Sequence, residues 1–153
     1  MAIRFDTGDG TAVELPVKLK VYESVFVPLA KWAMLCTGNY RCVTPGGARA
    51  IRDAVHTDLD VSASIYAWVR EVCEALGADA NDLVPFEKYA NAAQGLAKPS
   101  SAARALYAGA PNIERVDKLV QILAASKGMQ SDVLNQTVGL VDARLEQNRA
   151  QAG

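Results

Sequence analysis

One apolar stripe constrains this chain more than any other feature of its sequence. From Ala48 to Leu76, apolar side chains recur every three or four residues, and Gly77 follows the last of them. That spacing is typical of an α-helix with one buried face, and a glycine directly after such a run is typical of a helix C-terminus. The stripe therefore predicts either one long helix or two helices joined near Asp60, and other elements are needed to cover its apolar face.

Further helices are indicated on both sides of this stripe. The apolar run from Val17 to Cys36 predicts a mostly buried central helix with a kink at Pro28. A loop follows, and the turn formers Thr44 to Gly47 are expected to open the next helix. After the stripe, caps and apolar positions predict four more helices: Asn81 to about Gly95, Ala102 to Ala108, about Asn112 to Gly128, and Ser131 onward to a frayed tail from Glu146 to Gly153.

The N-terminus allows two structures. A cluster of turn formers from Asp6 to Thr11 is followed by strict alternation of apolar and polar residues up to Val21, which indicates a hairpin. Pro16 would remove a ladder donor from the second strand, and it suits the first turn of a helix equally well. We therefore expect an all-α multi-helix bundle with or without a short N-terminal β-hairpin, in which residues 1–16 form the extension and residues 17–150 form the helical domain.

Composition excludes several classes of function. The formal net charge is −1, so no overall field draws this protein to nucleic acid or to an anionic membrane. No stretch is apolar enough for a membrane span, and the first ten residues lack the apolar region of a signal peptide. The three cysteines lack CxxC spacing, which indicates reduced packing residues. We expect a cytoplasmic protein with no nucleic-acid and no membrane partner.

Motifs for metal or nucleotide chemistry are lacking in the sequence. His56 is the one histidine, which is too few for a histidine metal site or a catalytic triad, so no metal ligands are predicted. The glycine-rich pieces at Gly8 and Gly46 do not have the spacing that cradles a pyrophosphate. We therefore expect no cofactor on this chain alone. The carboxylates Glu71, Glu74 and Glu87 stand alone on predicted helices and are expected to be solvated.

Four pieces of the sequence form a recognisable order: Lys18 to Leu29, Cys36 to Tyr40, Arg49 to Gly77 and Lys98 to Gly128. They resemble the C-terminal helical domain of the ketopantoate reductase family, a 6-phosphogluconate dehydrogenase C-terminal-domain-like fold. The most specific piece starts with Lys98-Pro99-Ser100-Ser101 and continues through Gly109, the run Asn112 to Asp117, and Gly128. It is similar to the family's Ser-Ser helix start, its Thr-Glu-Ile-Asp motif and a later glycine.

The resemblance implies a set of roles for individual residues. In such enzymes a lysine ammonium protonates the ketone oxygen of the substrate, and Lys18 or Lys20 is the candidate here. A glutamate holds the substrate hydroxyl, a role that Glu114 matches. A serine at a helix start binds the substrate carboxylate, a role that Ser100 or Ser101 matches.

The resemblance also implies partners and a cofactor. NADP would be held by a Rossmann domain, which would belong either to a longer protein of which this chain is a fragment or to a separate partner chain, and the substrate would be a small 2-oxo acid. A helical half without that domain is expected to form a homodimer.

Two interpretations of the function stay open. In the first, the chain is the substrate-binding and dimerising half of a ketopantoate-reductase-like oxidoreductase that is not active alone. In the second, it is a non-catalytic helical module of the same ancestry that binds a small molecule or a protein. One difference from the family favours the second interpretation. At the positions where the family carries two substrate-orienting asparagines, this sequence has Tyr22 or Glu23 and Phe26 or Val27.

Overall fold

The structure, a computed structural model, describes residues 3–15 and 21–153. These residues form seven α-helices and two short antiparallel hairpins. The strands are β1 (Ile3–Asp6), β2 (Ala12–Leu15), β3 (Val43–Thr44) and β4 (Gly47–Ala48). The helices are α1 (Ala30–Met34), α2 (Ile51–His56), α3 (Leu59–Ala75), α4 (Phe86–Ala93), α5 (Ser101–Tyr107), α6 (Val116–Ser126) and α7 (Asp132–Ala152). The prediction of a mostly helical bundle with a short N-terminal hairpin is confirmed.

The N-terminal hairpin pairs β1 with β2. Phe5 lies opposite Val13, and Ile3 lies opposite Leu15, so these four apolar side chains share one face. The Asp9 carboxylate closes the turn by accepting hydrogen bonds from the Thr7 hydroxyl and the Thr11 amide.

The prediction of a helix from Val17 to Cys36 is wrong for residues 21–26. Its beginning falls on residues 16–20, which lie outside the described residues. From Val21 to Phe26 the chain is not helical, and the Ser24 hydroxyl accepts a local hydrogen bond from the Phe26 amide at 3.2 Å. A 3₁₀ turn, Val27–Leu29, then leads into α1. Pro28 therefore lies in the first turn, where its missing N–H costs nothing, and the predicted kink is replaced by a helix start.

The segment after α1 also differs from the prediction. The helix continues as a π-helical turn, Leu35–Asn39, followed by a 3₁₀ turn, Tyr40–Cys42. The residues expected to open a helix instead form the β3–β4 hairpin, in which Val43 pairs with Ala48. Gly47 has a φ of +143°, a conformation that favours glycine. Four turn formers in succession are compatible with a hairpin as well as with a helix start.

The long apolar stripe folds as two helices, as one of the two alternatives predicted. Asp58 separates α2 from α3, and its carboxylate caps α3 by accepting a hydrogen bond from the Val61 amide at 3.0 Å. Gly77 ends α3 as predicted, with a φ of +114°. The Ala78 amide then donates to the Cys73 carbonyl at 3.0 Å, which satisfies a carbonyl of the last turn.

Two predicted starts and one predicted end of the later helices need correction. Asn81 caps no helix, because Asp79 caps a 3₁₀ turn, Ala80–Asp82, and α4 begins only at Phe86. Helix α6 begins at Val116 rather than near Asn112. The C-terminal tail is helical to Ala152 rather than frayed.

Helix α7 closes the bundle. Ser131 caps this helix, as predicted. The buried Asn148 of α7 donates hydrogen bonds to the Leu106 carbonyl at 2.8 Å and to the Ala110 carbonyl at 2.9 Å. The predicted inward positions of this helix are all buried: Leu134, Val138, Val141 and Leu145. No helix among the residues described here is long and apolar enough to cross a membrane.

Candidate functional site

Two of the sequence-predicted site residues line one cleft of about 350 Å³. Ser101 comes from the start of α5, and Glu114 comes from the loop before α6. Asn39, Tyr40 and Asn112 contribute further polar groups to the same lining. We call this the serine–glutamate cleft.

Tyr40 connects two walls of this cleft. Its hydroxyl donates to the Glu114 carbonyl and accepts from the Val116 amide at 3.0 Å. Burial raises the pKa of Tyr40 to about 12, so the phenol stays protonated at neutral pH. The tyrosine therefore fixes the backbone on both sides of Arg115, and its hydroxyl is already occupied by groups of this chain.

The two serines have different surroundings. Ser100 is 2% exposed; its hydroxyl donates to the Asn39 carbonyl at 2.7 Å and accepts from the Ala103 amide at 3.2 Å as the cap of α5. Ser101 is exposed in the cleft. Of the two serines, Ser101 is the one accessible to a ligand.

Glu114 is exposed and precedes α6, so its carboxylate lies ahead of that helix rather than in its first turn. Lys18 and Lys20 fall on residues 16–20, outside the described residues. Ser101 and Glu114 thus line the same cleft, and Ser100 is a helix cap. The positions of both lysines are not described by the structure.

A second cleft, of about 460 Å³, adjoins the first and shares Asn39 and Ser101 with it. Lys98 and Arg104 line this neighbouring cleft, and both side chains are exposed. Among the described residues, no carboxylate lies within 4.0 Å of either cation. Ser101 therefore lies in the lining of both clefts. The cations Lys98 and Arg104 line one of them, and the Glu114 carboxylate lines the other.

Sequence reasoning missed several residues of this surface. The resemblance gives Lys98 no role, although its position close to two serines in the Lys98-Pro99-Ser100-Ser101 piece is a signal for a cationic subsite. No local pattern in the sequence indicates that Tyr40 lines this cleft, because its contacts with Glu114 and Val116 join distant parts of the chain.

The cysteines and the histidine lie in the interior or contact the backbone of this chain. The three cysteines are buried and free: Cys36, Cys42 and Cys73. Burial raises the pKa of Cys73 to about 11, so that thiol is not a nucleophile at neutral pH. His56 is half-buried with its Nε2 2.8 Å from the Ala90 carbonyl oxygen. Within residues 3–15 and 21–153, no group of three or more histidine, cysteine or acidic side chains is arranged to hold a metal ion.

The glycine-rich turns do not fit a dinucleotide. The turn at Gly8 and Gly10 is the tip of the N-terminal hairpin, and hydrogen bonds from Thr7 and Thr11 lower the pKa of Asp9 to about 2. An ionised carboxylate in that turn repels a pyrophosphate. The glycines at 46 and 47 belong to a hairpin turn that precedes no helix N-terminus directly.

Comparisons with protein-family models, with curated proteins and with solved structures found no match for this chain.

Proposed function

We propose that this chain is the substrate-binding helical half of an oxidoreductase that reduces a small 2-oxo acid, with NADP held by a separate Rossmann-domain chain. The observation that carries the proposal is the cleft surface on which Ser101 lies between Glu114 and the two cations Lys98 and Arg104. A 2-hydroxy or 2-oxo acid has a carboxylate at one end and oxygen functions near it, so it needs a cationic and a hydrogen-bonding subsite side by side.

In this proposal each group has one task. Arg104 and Lys98 attract the substrate carboxylate, because neither has a carboxylate partner within the described chain. The Ser101 hydroxyl donates a hydrogen bond to the same carboxylate, and Glu114 accepts one from a substrate hydroxyl. Lys18 or Lys20 remains the proposed proton donor to the ketone oxygen.

NADP is proposed for the partner chain alone, because the turns of this chain do not suit a pyrophosphate. No step of hydride transfer is therefore assigned to residues described here. The apolar surface that a helical half leaves uncovered supports two kinds of partner, a nucleotide-binding chain and a second copy of this chain.

A second candidate, a non-catalytic helical module that binds a small molecule, is favoured because this sequence has Tyr22 or Glu23 and Phe26 or Val27 where the family carries two substrate-orienting asparagines. Tyr40 offers no alternative proton donor in the serine–glutamate cleft, since its hydroxyl is bonded on both sides within the chain and its pKa is raised to about 12. The same cleft would then bind a small hydroxy or oxo acid without turning it over.

The test is calorimetric titration of the purified chain with ketopantoate and with its reduced product, pantoate. We expect saturable binding of both, weakened about tenfold by Arg104→Ala, since a charge-assisted hydrogen bond is lost. Glu114→Ala is expected to weaken pantoate binding by a similar factor.

Matched controls are Arg52→Ala and Glu71→Ala, which change the net charge equally at exposed positions outside both clefts. Binding that is absent from the wild type, or that is lost equally in the controls, contradicts the proposal. Binding without turnover after addition of an NADP-binding partner chain favours the second candidate.

A further inference from the structure

A separate cleft, of about 390 Å³, lies between the segment that carries β3 and one face of α7. Arg41 and Arg49 line it from one side, and Gln136 and Thr137 of α7 line it from the other. None of its lining residues is acidic, and none is shared with the serine–glutamate cleft. We call it the arginine cleft.

Both arginines are held in place by hydrogen bonds to neutral groups. One terminal nitrogen of Arg41 donates to the Thr37 carbonyl at 3.1 Å and to the Ser62 hydroxyl at 2.9 Å. The Nε of Arg49 donates to the Arg41 carbonyl at 2.8 Å. These bonds use only part of each guanidinium, which carries five N–H donors. The remaining donors are fixed in orientation before any ligand arrives.

Neither Arg41 nor Arg49 forms a salt bridge with a described residue. Both are half-buried, and among the described residues no carboxylate lies within 4.0 Å of either guanidinium. Burial lowers the pKa of Arg41, the positive charge of Arg49 lowers it further, and the negative charge of Asp58 acts in the opposite direction. Two neighbouring cations that are partly removed from water are stabilised by an anion placed between them.

A third arginine extends this positive surface. An adjoining cleft of about 320 Å³ shares Val43, Thr44, Pro45 and Leu140 with the arginine cleft, and it is lined by Arg144. The Arg144 guanidinium carbon lies 4.5 Å from the centre of the Tyr107 ring. Its Nε is buried without a hydrogen-bond acceptor among the described residues.

We propose that the arginine cleft binds the phosphate group of a small phosphorylated metabolite. Planar guanidinium groups match phosphate oxygens in pairs, and two such groups match the charge of a phosphate monoester, about −1.5 to −2 at neutral pH. The rest of the molecule would extend into the adjoining cleft, along Leu140 and toward Tyr107 and Arg144. Because the chain as a whole has a net charge of −1, such binding is local to this cleft rather than a consequence of overall charge.

The test is calorimetric titration of the full chain with inorganic phosphate and with glycerol 3-phosphate at low ionic strength. We expect saturable binding, with the ester at least as tight as free phosphate. Gln136→Glu should weaken it about tenfold or more, since it adds a negative charge to the lining. Gln136 is exposed and its side chain makes no hydrogen bond to the described residues, so this variant tests the site without removing a structural contact.

The matched control is Gln151→Glu, which makes the same charge change near the far end of α7 and is expected to bind as the wild type does. Arg49→Gln is the second variant and should also lose at least tenfold in affinity. Absence of phosphate binding, or equal binding by Gln136→Glu and wild type, overturns the proposal. So does binding that is lost only in Arg104→Ala, since the phosphate would then occupy the cleft beside Ser101.

Two further titrations fix the class of ligand. Succinate that binds as tightly as glycerol 3-phosphate overturns the preference for phosphate. Binding confined to vesicles that contain phosphatidic acid overturns the assignment to a small metabolite.

Discussion

At the scale of single residues, Asp117 is the charged side chain most completely removed from water among the described residues, with 0% exposure. Arg115 pairs with both of its carboxylate oxygens, at 2.9 Å and 3.0 Å. The same guanidinium also bonds Asp142, which accepts a further bond from Lys118 at 3.1 Å. One arginine thus neutralises a buried carboxylate and anchors α6 to α7.

Replacing Arg115 by Met should lower the free energy of unfolding by about 3–5 kcal/mol, because it leaves the buried Asp117 carboxylate without a partner. Urea denaturation followed by circular dichroism measures this loss. The control is Arg52→Met, whose partner Asp53 is 51% exposed, and it should cost less than about 1 kcal/mol. Equal losses in the two variants would show that Asp117 does not depend on Arg115.

At the scale of elements, three helix ends marked by a local signal agree with the prediction, and the docking of the C-terminal tail, which depends on distant contacts, does not. Gly77 and Gly128 both have positive φ and end their helices, and Ser131 caps α7, as their residue types indicate. Nothing local marks the docking of the C-terminal tail, because Asn148 stabilises it through carbonyls far away in the chain.

The candidate site divides in the same way. Ser101 and Glu114 come from one local stretch of sequence, Lys98 to Asp117, and their role in a site stays a prediction. Arg104 and Tyr40 were not predicted, since their place at the clefts depends on how α5 packs against the segment after α1. A sequence pattern specifies which residues share a helix face, and it does not specify which faces meet.

The π-helical turn Leu35–Asn39 is an element whose shape depends on one glycine. A Cβ on Gly38 would overlap the Tyr89 hydroxyl oxygen, and that hydroxyl donates to the Met34 carbonyl at 3.1 Å. Gly38→Ala should therefore destabilise the chain by about 1–3 kcal/mol through overpacking. Thermal and urea unfolding measure the change.

Tyr89→Phe removes the oxygen that the new methyl group would meet, so it should recover part of the loss when combined with Gly38→Ala. Gly46→Ala is the control, since a Cβ there meets no atom within 4 Å, and it should leave stability nearly unchanged. Additive effects of the Gly38 and Tyr89 changes would contradict the proposed steric conflict.

At the scale of the whole molecule, the described surface exposes apolar side chains in several places, including two on regular elements. One is the face of the N-terminal hairpin, where Phe5 is 59% exposed. The other is on α6, where Leu119 and Ile122 are 44% and 60% exposed. Ile122 also borders a cleft of about 310 Å³ with Trp68 and Met129 in its lining. We propose that the α6 patch is the contact between two copies of this chain, because Ile122 borders a cleft in which Trp68, Ala125 and Met129 offer an apolar surface to a partner's side chain.

A dimer of this kind should show a sedimenting mass near twice the chain mass of 16.3 kDa. Ile122→Asp should shift the protein to a monomer, because a two-fold contact would bring both new carboxylates into the same apolar interface. Val25→Asp is the matched control: it places the same charge on a side chain that is 85% exposed and lies outside α6, so the dimer should persist. A wild-type monomer at the highest concentration reached, or equal dissociation of both variants, would mean that α6 contacts no second copy. The exposed face of α6 would then be the proposed contact for a nucleotide-binding chain. Loss of binding to such a chain in Ile122→Asp would locate that contact on α6.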